Sequence, residues 1–139
     1  MTPARRPQPV PQTFVLDSEA LALAVRGDRA MLARLANARD GRVDVITSPM
    51  TLIEAHDPRI PAARWNWVAS RMRVATVGKD EARAAHELLT AAGLHGHKYA
   101  IDAVLAVVAI GQPGFVTVLT SDVDDLERLL PPTVLVRKV

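Results

Sequence analysis

Cysteine is absent from the 139 residues. That removes disulfides and every thiolate-metal site at once, and a reducing cytoplasm is the compartment that fits. Long hydrophobic runs are absent too. The most apolar stretch, Ala103 to Ile110, falls far short of the ~20 residues a spanning helix needs, so no membrane segment is expected. The opening residues carry Arg5 and Arg6, the charge of a signal n-region, but no apolar h-region follows. The prolines there predict a flexible or extended arm over residues 1–12, ahead of a single domain over residues 13–139. No internal repeat and no break in composition marks a second domain. A strong charge bias is missing as well. The net charge is +2 with a pI near 9.5, a weak pointer to an anionic partner. The basic side is mostly arginine, which suits bidentate phosphate contacts.

What is present is a core. Hydrophobic residues make up 49% of the chain, and they fall into a repeating pattern. Thr13-Phe14-Val15-Leu16 is a short apolar run ending at Asp17, the mark of a buried strand. Ser18 to Val25 then predicts a helix broken by Gly27. Asp28 caps a second helix through about Arg39. Val43 to Ile46 is a second strand, and Ser48-Pro49 starts a helix that carries Glu54. Pro61 opens a helix with Trp65 and Trp67 that ends near Arg73. Val74 to Val77 predicts a third strand, and Asp80 to Ala92 a helix closed by Gly93. Tyr99 to Ile110 is the most apolar helix. Val116 to Leu119 is a fourth strand, Asp124 to Leu130 a short helix, and Thr133 to Val136 a last strand. Strands that alternate with helices, and that are continuously apolar, predict a parallel sheet with helices on both faces.

Two strands end alike. Phe14-Val15-Leu16 runs into Asp17, and Val116 to Leu119 runs into Thr120-Ser121-Asp122. In a parallel sheet both acids sit at the carboxyl edge, where open α/β sheets keep their ligand crevice. If the two strands are neighbours, ~4.8 Å apart, their carboxylates can share one cation. Asp102 is a third acid, inside the apolar run Tyr99 to Val108. A carboxylate there needs a partner. The structural partners are the amino-terminal N–H groups of its own helix or Lys98, and the functional one is a metal ion. Glu54 completes the set. Oxygen-only ligands suit hard cations such as Mg²⁺ or Mn²⁺, which activate water and steady a phosphodiester under attack.

These residues resemble a family. Val15-Leu16-Asp17-Ser18, Thr51-Leu52-Ile53-Glu54, Ile101 to Ala106 and Leu119 to Leu126 resemble the motifs of PIN-domain nucleases, most closely the VapC-type toxins of bacterial toxin–antitoxin pairs. The resemblance spans Thr13 to about Val136, with the acids in family order. It implies a three-layer α/β/α fold with sheet order 3-2-1-4-5 and Mg²⁺- or Mn²⁺-dependent cleavage of RNA. It also implies a homodimer and a cognate antitoxin. Carried over, Asp17, Glu54, Asp102 and Asp122 hold the metal, and Thr120 is the hydroxyl that orients the site. Asp125 resembles an auxiliary acid, or is a surface residue of the last helix. Ser18 hydrogen-bonds near the site or caps a helix. The arm before Thr13 is not part of the family pattern.

Other residues fit simpler roles. His95-Gly96-His97 predicts a turn before the Asp102 helix, with one histidine at the rim in reach of RNA. His56 and His86 read as surface residues. Trp65 and Trp67 stand two apart on a helix beside Arg64, Arg71 and Arg73, so one is expected in the core and the other partly exposed. The exposed one suits base stacking or a partner interface. A PIN-like module that binds RNA or protein without cleaving is the alternative function, disfavoured by the presence of all four acids. A phospho-acceptor receiver domain is set aside, because Gly78-Lys79 rather than an aspartate follows the third strand.

Overall fold

The central strand is β1 (Gln12–Leu16), one residue longer than the sequence pattern predicts. Around it the computed structural model, which describes residues 9–139, builds five strands and seven helices. Most of the expected amino-terminal arm lies outside those residues. After β1 come α1 (Ser18–Arg26), α2 (Arg29–Asp40), β2 (Asp44–Thr47), α3 (Pro49–Glu54), α4 (Ala62–Ala69) and β3 (Arg73–Val74). Then follow α5 (Lys79–Ala92), α6 (Gly96–Ile110), β4 (Phe115–Thr120), α7 (Val123–Glu127) and β5 (Leu135–Lys138). The sheet order is β3-β2-β1-β4-β5, and every pairing is parallel. This is the order expected from the resemblance.

Alternation along the strands divides the core between the two faces. Leu16, Val45 and Leu119 pack with Leu21, Val25, Met31, Leu35 and Val68, so α1, α2 and α4 cover one face. Val15, Ile46, Val116 and Val118 pack with Leu105, Val108 and Leu126, so α6 and α7 cover the other. Helix α5 lies outside α6, through Ala85 against Ala103, Ala106 and Leu129. Complete burial of side chains the size of Leu16 or Leu105 stabilises the fold by roughly 1.5–3 kcal/mol each.

Local chemistry sets the ends of the elements. Gly27 at φ 84° closes α1, and Asp28 accepts the Met31 N–H at 2.9 Å to open α2. Gly114 lies at φ 72°, and a Cβ there would stand 2.0 Å from the carbonyl oxygen of Pro11. That oxygen accepts the Phe115 N–H at 2.9 Å, so the close approach is what starts the β1–β4 ladder.

Several boundaries differ from the sequence reading. β3 has two residues rather than four, because its partner β2 ends at Thr47. The Ala75 N–H reaches the Thr47 carbonyl at 2.9 Å, and beyond it Ser48 has turned away into α3, leaving no edge to pair with. α6 starts at Gly96 with His95 as cap, so His95-Gly96-His97 is the first turn of the helix rather than a loop before it. α4 stops at Ala69 and α7 at Glu127, both earlier than predicted. β5 lies two residues later than predicted, after a turn in which the Val134 N–H reaches the Pro131 carbonyl at 3.1 Å. Among the described residues no helix is long and apolar enough to cross a membrane.

Candidate active site

Asp17 follows β1, and its backbone N–H is held by the Leu119 carbonyl of β4 at 3.1 Å. Parallel pairing of β1 with β4 matches Leu16 to Leu119, so the chain leaves both strands at the same level. Asp17 is buried, and its carboxylate caps α1 by accepting the Ala20 N–H at 2.8 Å. Burial pushes its carboxyl above the usual range, while that hydrogen bond and the Thr120 hydroxyl pull it back.

Thr120, the last residue of β4, is fully buried. Its hydroxyl oxygen accepts the Asp122 N–H at 2.8 Å. Asp122 occupies the cap position of α7 yet makes no cap bond with its side chain. A carboxylate at a helix start normally satisfies those N–H groups; this one faces Asp125 and the cavity beside it instead.

Glu54 arrives by another route. Thr47 at the end of β2 donates its hydroxyl to the Leu16 carbonyl at 2.8 Å, tying β2 to β1 just below Asp17. Ser48 then caps α3, accepting the Met50 N–H at 3.0 Å, with Pro49 in the first turn. This short helix carries Glu54 back to α1, where Ser18 donates its hydroxyl to the Glu54 carboxylate.

Asp102 is the seventh residue of α6. The four unsatisfied N–H groups of a helix belong to its first turn, so Asp102 lies beyond their reach. Lys98 does not pair with it either; its ammonium sits over the Tyr99 ring, 5.0 Å from the centroid. Both structural partners foreseen for Asp102 are therefore engaged elsewhere or out of range. Its carboxyl is pushed up to about 6, first by desolvation and then by Asp125, Asp17, Asp122 and Glu54. Four neighbouring charges of the same sign raise it together.

All four sequence-predicted acids and Ser18 line one cavity of about 440 Å³. Thr120 lies beneath it. Asp125 does not line it but sits behind Asp122, whose hydrogen bond raises the Asp125 carboxyl, and within 4.0 Å of Arg128. Glu19, His97 and Lys98 also line the cavity. Glu19 was not foreseen, although its place directly after Asp17-Ser18 was the available clue. Five carboxylates thus face a single ammonium. As the side chains stand, no three of the described acids and histidines converge on a metal-holding point. Asp17 is turned to Ala20 and Glu54 to Ser18. The donor set fits a hard cation chemically, all oxygen and negatively overloaded, and Ser18 engages only one of the two Glu54 carboxylate oxygens.

The aromatic expectation holds. Trp65 packs against the α1–α2 core and Trp67 is 45% exposed.

Neither a protein-family model nor a curated protein matches the chain. A solved structure does: a chain of VapBC2 from Rickettsia felis, bound to a DNA fragment from its promoter. It matches with a TM-score of 0.67 at 13% identity, covering 92% of this chain and 99% of that one. At that identity the likeness is one of fold. The five-stranded parallel sheet in order 3-2-1-4-5, layered between helices, is a PIN-like fold shared with a VapBC2 chain.

Proposed function

We propose that this chain is a metal-dependent endoribonuclease, the toxin component of a type II toxin–antitoxin pair acting in the cytoplasm as a homodimer. One observation carries the reading. Asp102 is a half-buried carboxylate with no cationic or N–H partner among the described residues, in a cavity that collects Asp17, Glu54 and Asp122 around it. Fold maintenance does not require such an arrangement, and mutual repulsion works against it. Bound Mg²⁺ or Mn²⁺ would supply water activation and charge neutralisation on a phosphodiester. The residues that would hold it are Asp17, Asp102 and Asp122, with Glu54 kept beside them by Ser18. Thr120 keeps the Asp122 backbone, and so its carboxylate, at the cavity wall. The fold shared with VapBC2 supports the same reading.

The test is cleavage of single-stranded RNA by purified protein in Mg²⁺ or Mn²⁺. EDTA stops it, and Asp17→Asn or Asp102→Asn abolishes it. Equal cleavage in EDTA overturns the metal mechanism. Binding of RNA or protein with no cleavage in any metal is the outcome that favours a non-catalytic PIN-like module.

An antitoxin would neutralise this site. The acid cavity accepts a cationic side chain. A separate shallow cavity of about 480 Å³ beside Trp67, lined also by Leu32, Pro61 and Ala63, accepts the apolar face of a partner helix. Co-purification with the product of the upstream gene, and relief of toxicity on co-expression, check this. Failure of both counts against the pairing.

A further inference from the structure

At the opposite edge of the sheet lies a cavity of about 490 Å³ that the acid site does not use. Arg39 from the end of α2, Arg42 from the α2–β2 turn, and Arg71 and Arg73 before and within β3 line it, with Asp44 and Ser70. The four arginines come from two distant stretches of chain, brought side by side by the parallel β2–β3 pair. Only Arg73 has a carboxylate partner among the described residues, Asp44 at 3.2 Å. The guanidinium of Arg71 lies 4.9 Å from the Trp67 ring centroid, and its Nε is buried without a hydrogen-bond acceptor. A buried N–H left unpaired is costly.

We propose that this arginine cavity is a second RNA contact, which holds a backbone phosphate of the substrate strand away from the point of cleavage. The inference rests on the ribonuclease reading. Its reason is electrostatic. The acid cavity faces the strand with five carboxylates and one lysine, so it repels a polyanion rather than attracting it. Three of the arginines near that edge are already paired, while Arg137 and Lys138 at the end of β5 are not, among the described residues. Arg26 lies 3.8 Å from Glu19, Arg59 lies 2.9 Å from Asp57, and Arg128 lies 4.0 Å from Asp125. The densest cluster of cations lies elsewhere, in the arginine cavity. The arginine cavity has four guanidiniums against one carboxylate, in the fork geometry that suits phosphate. Thr13 pairs with Asp44, so the cavity stands four residues back from Asp17 along the strands, ~13 Å at 3.3 Å per residue. A single strand of a few nucleotides bridges that distance.

The experiment uses a labelled single-stranded RNA oligonucleotide, bound in EDTA so that turnover plays no part, and titrated with salt. The double variant Arg39→Gln/Arg42→Gln lowers affinity about tenfold and flattens the log–log salt slope by roughly 1.4, at about 0.7 per lost contact. Arg39→Lys/Arg42→Lys keeps the slope and serves as the folding control. In Mn²⁺ the glutamine variant raises KM for the oligonucleotide, leaves kcat in place, and cleaves a dinucleotide like the parent. Unchanged RNA affinity and slope overturn the proposal, including the case where only an acidic peptide such as polyglutamate loses binding. Loss of kcat on the dinucleotide overturns it too. Because binding is read without metal, a protein that binds through these arginines yet cleaves nothing refutes the ribonuclease reading alone. One that cleaves but binds equally well without them refutes the arginine contact alone.

Discussion

Ser18 opens α1 and Glu54 closes α3, and the serine hydroxyl donates to the glutamate carboxylate across the mouth of the acid cavity. The bond holds Glu54, an exposed side chain, beside Asp17 when no cation is bound. Ser18→Ala releases it. The expected result is a three- to tenfold loss of kcat/KM, with stability changed by less than about 1 kcal/mol because the bond is solvent-exposed. Ser18→Thr preserves activity. Cleavage kinetics beside thermal melts check this, and full activity in Ser18→Ala would show that Glu54 needs no positioning.

Asp102 makes stability depend on pH. Its carboxyl is raised from 3.8 to about 6, so the folded protein binds that proton more tightly than the unfolded chain. The stability this contributes is fully present below about pH 3.8 and is lost as pH rises through about 6. The difference has a ceiling of about 3 kcal/mol at 1.36 kcal/mol per pH unit, and solvent screening of this half-buried group brings it well below that. Above pH 6, metal-free Asp102→Asn should therefore melt higher than the parent, by about 2–8 °C for each kcal/mol regained. At pH 4 the two should nearly coincide. Melts in EDTA across this range decide it. An Asp102→Asn protein that melts lower at neutral pH and still cleaves RNA would sink the metal-ligand role of this residue.

The same proton competes with a cation. Below about pH 6 the metal has to displace it, so apparent Mn²⁺ affinity should climb up to tenfold per pH unit and level off above. Titration of free Mn²⁺ against the protein at several pH values measures this. Affinity independent of pH through that window would mean that the cation does not use Asp102.

Gly114 tests the fold rather than the site. A methyl group there meets the Pro11 carbonyl oxygen at 2.0 Å, on a backbone at φ 72°. Gly114→Ala should cost about 2 kcal/mol or more by denaturant unfolding. A loss under about 0.5 kcal/mol would show that β1 and β4 tolerate separation at their amino ends.

Much of this protein was legible in its residues because short-range chemistry wrote it. Apolar strands that stop at Asp17 and at Thr120-Ser121-Asp122 announce a parallel sheet with acids at its carboxyl edge. Capping residues such as Asp28 and Ser48, and breakers such as Gly27 and Gly93, mark helix ends with local hydrogen bonds. Tertiary structure decided what depends on a neighbour. β3 is short because β2 turns away after Thr47, a limit set by the partner strand. The surroundings of Asp102 were undetermined until α6 was seen to begin at Gly96, out of range of its free N–H groups, with Lys98 drawn to Tyr99. The arginine cavity is the clearest case. Arg39 and Arg42 belong to one stretch of chain and Arg71 and Arg73 to another, and neither stretch reads as a site. Only the pairing of β2 with β3 sets the four charges around one space, because electrostatic fields add by distance in space and not by position in sequence.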